Sequence, residues 1–139
     1  MTLQNKRLSR HKLTSEVFTP IPLVDEMLDK LPSEVWSPEK TFLDNSAGNG
    51  NFLVRVLAYK LSHNHPPLQA LSTIYGVELM SDNVEEMKQR LLDTLPELDD
   101  TQKQQAIDII NHNIVCHDAL TWDYENWRKP KRSKAKPLF

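Results

Sequence analysis

A glycine-containing loop at residues 44–50 constrains the fold of this chain more than any other segment. It holds Gly48 and Gly50, two of only three glycines in 139 residues, and it lies between an apolar run and a long apolar segment. Glycine tolerates positive φ and has no side chain, so a ligand can approach such a loop closely. Residues 52–61 contain neither glycine nor proline and are too many for a typical strand, which predicts a helix. Strand, loop and helix together predict the first unit of a Rossmann-like nucleotide-binding sheet, with the ligand over the helix N-terminus.

The sequence Asn49-Gly50 is also typical of a hairpin turn, which is the alternative interpretation of the loop. The segment that follows favours the first interpretation, because it is predicted to be a helix and a hairpin requires a strand.

The composition of the loop indicates which nucleotide it suits. A dinucleotide-binding fingerprint has a third glycine at the position that Leu53 occupies here. The loop also begins with Asp44, whose carboxylate would repel a pyrophosphate and attract an amino group or a sulfonium. The loop therefore suits a cationic adenosine cofactor better than NAD.

The rest of the chain alternates helix and strand patterns, which predicts an α/β fold with about three parallel strands. The strands are predicted at about 41–44, 73–79 and 113–118. Helices are predicted between Pro20 and Pro32, over 52–61, from a capping-box-like start at Asp82 and Glu85, and over 98–111, with a loop over 63–67. Right-handed crossovers give the strand order 3-2-1 and leave strand one at an open edge.

Four segments in this order resemble the S-adenosylmethionine-dependent DNA adenine methyltransferases, including the modification subunits of type I restriction systems. The segments are 16–20 with Leu23 and Val24, 44–53, 74–78 and 113–120. The resemblance spans roughly residues 16–124. It implies a partial Rossmann-like, doubly wound domain at 16–127 that binds S-adenosylmethionine. By their charge, residues 1–15 form a basic N-terminal arm and residues 128–139 a basic C-terminal tail.

The resemblance also implies roles for individual residues. Phe18 and Thr19 would hold the methionine end of the cofactor, Glu78 the ribose hydroxyls and Asp118 the adenine ring, while Asp44 would bind the amino group directly or through water. The other cofactor-binding positions are Ser46, Ala47, Gly48, Gly50, Leu79 and Ala119. Simpler roles are open for the acids: Asp44 as a cap for the loop, Glu78 as a solvated strand end and Asp118 as a turn residue.

The sequence departs from this family in one respect, because the catalytic tetrapeptide Asp/Asn-Pro-Pro-Tyr/Phe is absent. The nearest string, residues 64–67, precedes the second predicted strand and is interpreted as a loop. Residues 136–139 resemble the start of the family's fourth strand. We therefore assign no catalytic residue and expect a cofactor-binding half that is truncated or completed by a partner chain. The alternatives are a non-catalytic regulatory or sensor module that binds the cofactor, and a nucleic-acid-binding adaptor.

The net charge of −2 conceals basic ends and an acidic centre. Residues 1–12 and 128–139 carry ten bases and no acid, whereas the residues between them carry seven bases and 19 acids. This pattern predicts contact of the two ends with DNA phosphates, with solvated chain ends as the alternative. Trp127, beside the basic tail, is expected either to pack or to stack on a base.

The remaining features limit the environment and the partners. Cys116 is the single cysteine, which excludes an internal disulfide, fits a cytoplasmic protein and predicts a buried thiol. There is no run of about 18 apolar residues, so no membrane span is expected. The five histidines have no cysteine or acid cluster at ligand spacing, so we expect no metal site. The open edge of strand one predicts a homodimer or a partner chain that covers it.

Overall fold

A three-stranded parallel sheet with flanking helices forms the α/β fold of residues 18–131, the part of the chain that the computed structural model describes. The strands are β1 (Phe42–Asp44), β2 (Ile74–Glu78) and β3 (Ile114–Cys116), in the spatial order β1-β2-β3. The predicted order is confirmed, although each strand is shorter than predicted. Among the described residues, β1 pairs only with β2, so its other edge is open.

Five α-helices and one short 3-10 helix accompany the strands in this part of the chain. They are α1 (Ile21–Asp29), the 3-10 helix (Ser33–Trp36), α2 (Asn51–Ser62), α3 (Pro67–Ser72), α4 (Ser81–Thr94) and α5 (Asp100–Asn113). Pro22 lies in the first turn of α1, where a missing N–H is tolerated. Pro67 at the start of α3 is tolerated for the same reason. Helix α3 itself was not predicted, because it is too short to show a periodic pattern. None of the described helices is long and apolar enough to cross a membrane.

The predicted capping box at Asp82 and Glu85 is wrong. Helix α4 begins at Ser81 with Met80 as its N-cap, so Asp82 lies inside the first turn and is not the cap. A capping box occurs instead at α5, where the Asp99 side chain accepts from the Gln102 N–H at 2.7 Å. The reciprocal bond runs from the Asp99 N–H to Gln102 Oε1 at 3.3 Å.

The core lies between the helices and one face of the sheet. Gly76 on β2 faces α2 closely, because a Cβ atom at this position would lie 2.8 Å from Leu53 Cδ1. The buried side chains that form the core are Val24, Leu28, Ala47, Leu53, Val56, Leu57, Ala70, Leu71, Ile74, Val84, Met87, Leu91, Ala106, Ile110 and Ile114. Every helix from α1 to α5 contributes to this cluster, so the main core of the described residues lies on the helical side of the sheet.

The opposite face of the sheet is covered by the chain that follows β3. The ring of Trp127 makes an edge contact with Tyr75 at 4.8 Å between centroids, and Trp122 packs against Trp127 at 5.4 Å. Trp127 Nε1 donates to the carbonyl oxygen of His112 at 2.8 Å, which fixes the ring. The packing role predicted for Trp127 is confirmed. Leu43 on β1, beside Tyr75 in register, remains 49% exposed.

Cys116 is exposed, which contradicts the predicted buried thiol. It is the last residue of β3 and lies opposite Glu78 at the rim of the sheet, where the helices no longer cover the strands. Its Sγ donates to the carbonyl oxygen of Leu79 at 3.4 Å.

Lys60 is fully buried at the opposite end of the strands. Its Nζ donates to the carbonyl oxygen of Lys40 at 2.8 Å and to Thr73 Oγ1 at 2.7 Å, and lies 5.3 Å from the centroid of the Phe42 ring. The pKa of the Lys60 ammonium group is lowered, because the effect of burial is larger than the opposing effect of the negative charge of Glu39. This single side chain therefore ties the last turn of α2 to the residues that precede β1 and β2.

Candidate functional site

A cavity of about 320 Å³ lies where β1 and β2 end and α2 begins. Ligands of parallel α/β sheets bind at this edge, outside the carboxyl ends of the strands. The lining residues are Phe18, Thr19, Asp44, Ser46, Ala47, Gly48, Asn49, Asn51, Phe52 and Glu78. Seven of the eleven residues predicted to bind the cofactor are among them.

Two glycines with positive φ shape the loop beneath the cavity. Gly48 has φ +55°, and a Cβ atom there would lie 2.9 Å from Cδ1 of Phe18, whose ring covers the loop. Gly50 has φ +90° and is the N-cap of α2, and a Cβ atom there would lie 2.7 Å from Met87 Cγ on α4. Gly50 therefore does not line the cavity. It allows the loop to lie directly on α4.

Asp44 ends β1 with a half-buried carboxylate. Its Oδ1 accepts from the Ser46 N–H at 3.0 Å, which closes the turn after the strand. Burial raises the pKa of Asp44, the Ser46 hydrogen bond lowers it, and the nearby charge of Glu78 raises it further. The cavity thus contains a carboxylate that a cation in the same space would stabilise.

Glu78 ends β2 and accepts three N–H groups from the protein. Oε1 accepts from the Gly48 N–H at 3.1 Å. Oε2 accepts from the Met80 N–H at 2.9 Å and from Asn83 Nδ2 at 3.2 Å. The carboxylate also lies at the N-terminus of α4, where the helix dipole favours negative charge. Glu78 is therefore a fixed anion rather than a solvated strand end.

Helix α4 supplies supports that the sequence interpretation missed. Arg90 Nη1 donates to the carbonyl oxygen of Asn49 at 2.9 Å and to Asn51 Oδ1 at 2.7 Å. Asn51 Nδ2 in turn donates to the carbonyl oxygen of Thr19 at 2.8 Å. Asn83, Met87 and Arg90 follow each other at i, i+4 and i+7, so they form one stripe of α4 behind the loop. That spacing was readable in the sequence, but the groups to which these residues bond were not.

The remaining predicted site residues lie outside the cavity. Asp118 is exposed after β3, and its Oδ1 accepts from the Leu120 N–H at 2.9 Å, as expected of a turn residue. Leu79 is 64% exposed, and Ala119 follows Asp118 without lining the cavity. The ends of β2 and β3 are nonetheless adjacent, since the His117 N–H donates to the carbonyl oxygen of Glu78 at 3.0 Å.

Within residues 18–131, no three His, Cys, Asp or Glu side chains are placed to hold a metal ion together. The arrangement at the cavity suits the binding of a polar, cationic ligand through two carboxylates. Among the residues of 18–131 that line the cavity, there is no lysine, arginine or histidine to neutralise a phosphate.

We expect Asp44→Asn to stabilise the ligand-free protein at pH 7 by about 0.5–1 kcal/mol. The pKa of Asp44 in the folded protein lies above its ordinary 3.8, so the folded state favours the protonated carboxyl group. The stability that this protonated group contributes is present at low pH and is lost as the pH rises through the folded-state pKa. Asparagine removes this charge and can still accept from Ser46. Urea unfolding at pH 7 should show the gain, and the gain should disappear below about pH 4.

Asp118→Asn is the matched control, since Asp118 makes the same type of turn bond but is exposed. Its effect should stay within about 0.5 kcal/mol. A less stable Asp44→Asn protein at pH 7 would contradict the interpretation that partial burial makes the charge of Asp44 unfavourable.

Comparison of the chain with protein-family models, with curated proteins and with solved structures gave no match in any of the three.

Proposed function

We propose that this chain binds S-adenosylmethionine or its demethylated product, S-adenosylhomocysteine, as the cofactor-binding half of a DNA adenine methyltransferase. Two carboxylates that converge over a glycine loop at the rim of the sheet carry this proposal. Asp44 and Glu78 both line the cavity, and the charge of Glu78 acts on the pKa of Asp44. The four-segment resemblance of the sequence supports the same cofactor.

The charge of the cavity separates this cofactor from phosphate-containing nucleotides. S-adenosylmethionine carries a sulfonium and an ammonium group against a single carboxylate, so Asp44 and Glu78 would attract its net positive charge, whereas both would repel a phosphate. Phosphate-binding loops offer free backbone N–H groups to the anion. Here the Gly48 N–H is already bonded to Glu78. The loop is therefore built to hold a carboxylate of the protein.

The size of the cavity suggests how much of the cofactor it encloses. At about 320 Å³, the cavity is at the lower end of the range for small-molecule sites. We propose that it holds the methionine and ribose parts and that the adenine extends over the adjacent ends of β2 and β3. There Leu79 offers an exposed apolar surface and Asp118 offers a carboxylate acceptor.

When bound, S-adenosylmethionine supplies an electrophilic methyl group on sulfur. The residues of this chain would bind and orient the cofactor, but the sequence contains no Asp/Asn-Pro-Pro-Tyr/Phe segment to hold an extruded adenine. We propose that a second chain provides this group and covers the open edge of β1. The basic ends that we propose to contact DNA lie largely outside the described residues. Of the basic residues in the C-terminal tail, the structure describes Arg128, Lys129 and Lys131, and all three are exposed.

A regulatory or sensor module that binds the cofactor without turnover is the second candidate, and the same cavity supports it. The two candidates differ in whether methyl transfer appears once a partner is supplied, whereas the adaptor alternative predicts no cofactor binding.

Calorimetric titration of the chain with S-adenosylhomocysteine should show binding. Ligand at about 100 times its dissociation constant should stabilise the fold by about 2.7 kcal/mol. Glu78→Ala should weaken binding about tenfold or more, because it removes a charged acceptor. The exposed acid Glu125 provides the control, since Glu125→Ala should leave the affinity unchanged. Absence of both heat and thermal shift at millimolar ligand would reject the proposal, and NAD should not compete.

The 139-residue chain alone should transfer no methyl group to DNA, because it lacks the segment that would hold the target base. Purified protein, labelled S-adenosylmethionine and DNA of mixed sequence are sufficient for the assay. Robust incorporation of label would mean that other residues perform this role, and our assignment of the chain as a cofactor-binding half would fail.

We expect the chain to self-associate at micromolar concentration through β1, because open strand edges pair readily. Leu43→Lys should reduce this association, since a lysine on an edge strand opposes pairing. Leu120→Lys is the control, as Leu120 is 93% exposed in the turn after β3. Sedimentation velocity would measure the change. A monomer at all concentrations would reject self-association and leave a different partner chain as the proposal.

A further inference from the structure

The side-chain amide of Asn51 joins α4 to the segment that precedes α1. Its Oδ1 accepts from Arg90 Nη1 at 2.7 Å, and its Nδ2 donates to the carbonyl oxygen of Thr19 at 2.8 Å. An amide side chain has one acceptor end and one donor end. A flipped Asn51 would place Nδ2 against the guanidinium group and Oδ1 against a carbonyl oxygen. Arg90 therefore selects the orientation in which Asn51 can donate to Thr19.

Arg90 is itself fixed on the helix behind the loop. The same Nη1 atom donates to the carbonyl oxygen of Asn49 at 2.9 Å, so one nitrogen contacts both the loop and the first residue of α2. Burial lowers the pKa of Arg90, and among residues 18–131 its guanidinium group forms no ion pair that would offset the cost of burying the charge. Hydrogen bonds to two neutral acceptors therefore hold this group in place.

The residue that accepts from Asn51 belongs to a wall of the cavity. Phe18 and Thr19 line the cavity from the segment before α1, whereas most of the other lining residues belong to the strand ends and the glycine loop. The Phe18 ring lies close over the loop, since a Cβ atom on Gly48 would be 2.9 Å from its Cδ1. The bond from Asn51 to Thr19 therefore ties this 18–19 wall to the part of the site that α4 supports.

We propose that Arg90 and Asn51 are positioning residues that hold the 18–19 wall against the amino-acid end of the cofactor. This inference rests on the proposed binding of S-adenosylmethionine or S-adenosylhomocysteine in the cavity. It predicts that these two residues set the affinity for the amino-acid end and have little effect on the affinity for the nucleoside end. A merely structural role would change the affinity for both ends alike.

Asn51→Ala in the full chain tests the inference with two ligands. S-adenosylhomocysteine carries the amino-acid end, whereas 5′-methylthioadenosine has the same adenosine and thioether without it. Calorimetric titration should show that the variant binds S-adenosylhomocysteine about fivefold or more weakly, as expected for loss of a hydrogen bond, and binds methylthioadenosine within about twofold of the wild type. Equal losses for the two ligands would overturn the proposal, and so would an unchanged affinity for S-adenosylhomocysteine.

The role of Arg90 is tested by a double-mutant cycle. Arg90→Ala alone should weaken the binding of S-adenosylhomocysteine about fivefold, because Asn51 loses the group that orients it. In the Asn51→Ala background, the same change should alter the affinity by no more than about twofold, since Arg90 acts through Asn51. Two full and independent losses would overturn the positioning role of Arg90.

Two further variants separate this role from a general effect on the helices. Arg55→Ala is the matched control, because Arg55 also joins α2 to the α1 region, through Asp25 at 2.7 Å, but does not contact Thr19. It should leave both affinities unchanged, and a fivefold loss for S-adenosylhomocysteine would overturn the proposal. Asn51→Asp should fold, since a carboxylate suits the first turn of a helix. It can accept from Arg90 but cannot donate to Thr19, so it should lose affinity as Asn51→Ala does.

The wild-type chain separates the two ways of failing. If S-adenosylhomocysteine does not bind the wild-type chain, the proposed function fails and this inference fails with it. If it binds and folded Asn51 variants bind it equally well, only the inference about Arg90 and Asn51 fails.

Discussion

The carboxylate of Glu78 joins three parts of the molecule that the fold must bring together at one point. It belongs to the end of β2, it accepts from the glycine loop that follows β1, and it accepts from the start of α4. A negative charge at a helix N-terminus is favourable, so the helix and the carboxylate stabilise each other. The shape of the loop and the start of α4 depend on this one group, which shares the charge of the cavity with Asp44.

Helix α4 carries the second half of this arrangement. Asn83, Met87 and Arg90 occupy one stripe of the helix and contact, in turn, Glu78, the space beside Gly50, and the loop residues Asn49 and Asn51. Gly50 permits this close packing because it has no Cβ atom and adopts a positive φ. Packing and hydrogen bonds from α4 thereby hold the loop on the side away from the cavity. The Asp44 carboxylate lies on the other side of the loop and lines the cavity. A polar site of this kind is preorganised because its supports are rigid elements.

The sequence predicted the strand, loop and helix around Gly48, the strand order and the placement of Asp44 and Glu78 at the rim, because these follow from local pattern and right-handed crossovers. It did not predict α3, which is too short for a periodic signal. It placed the capping box at Asp82, since motif matching does not show which residue comes first in the helix. The bonds of Asn83 and Arg90 were missed for a different reason: their partners are close only in the folded chain. Exposure of Cys116 likewise depends on how far the helix layer extends beyond the strand end.

The buried amine of Lys60 gives this fold an internal chemical probe. A primary amine reacts with acylating reagents only when it is unprotonated and accessible, and this one is enclosed between α2 and the residues before β1 and β2. Acylation of Lys60 therefore requires that end of the molecule to open, so its rate relative to that of the exposed Lys30 measures the local opening equilibrium. Because the cavity lies at the other end of the strands, such labelling would reveal whether a ligand there stabilises only the loop or the whole sheet.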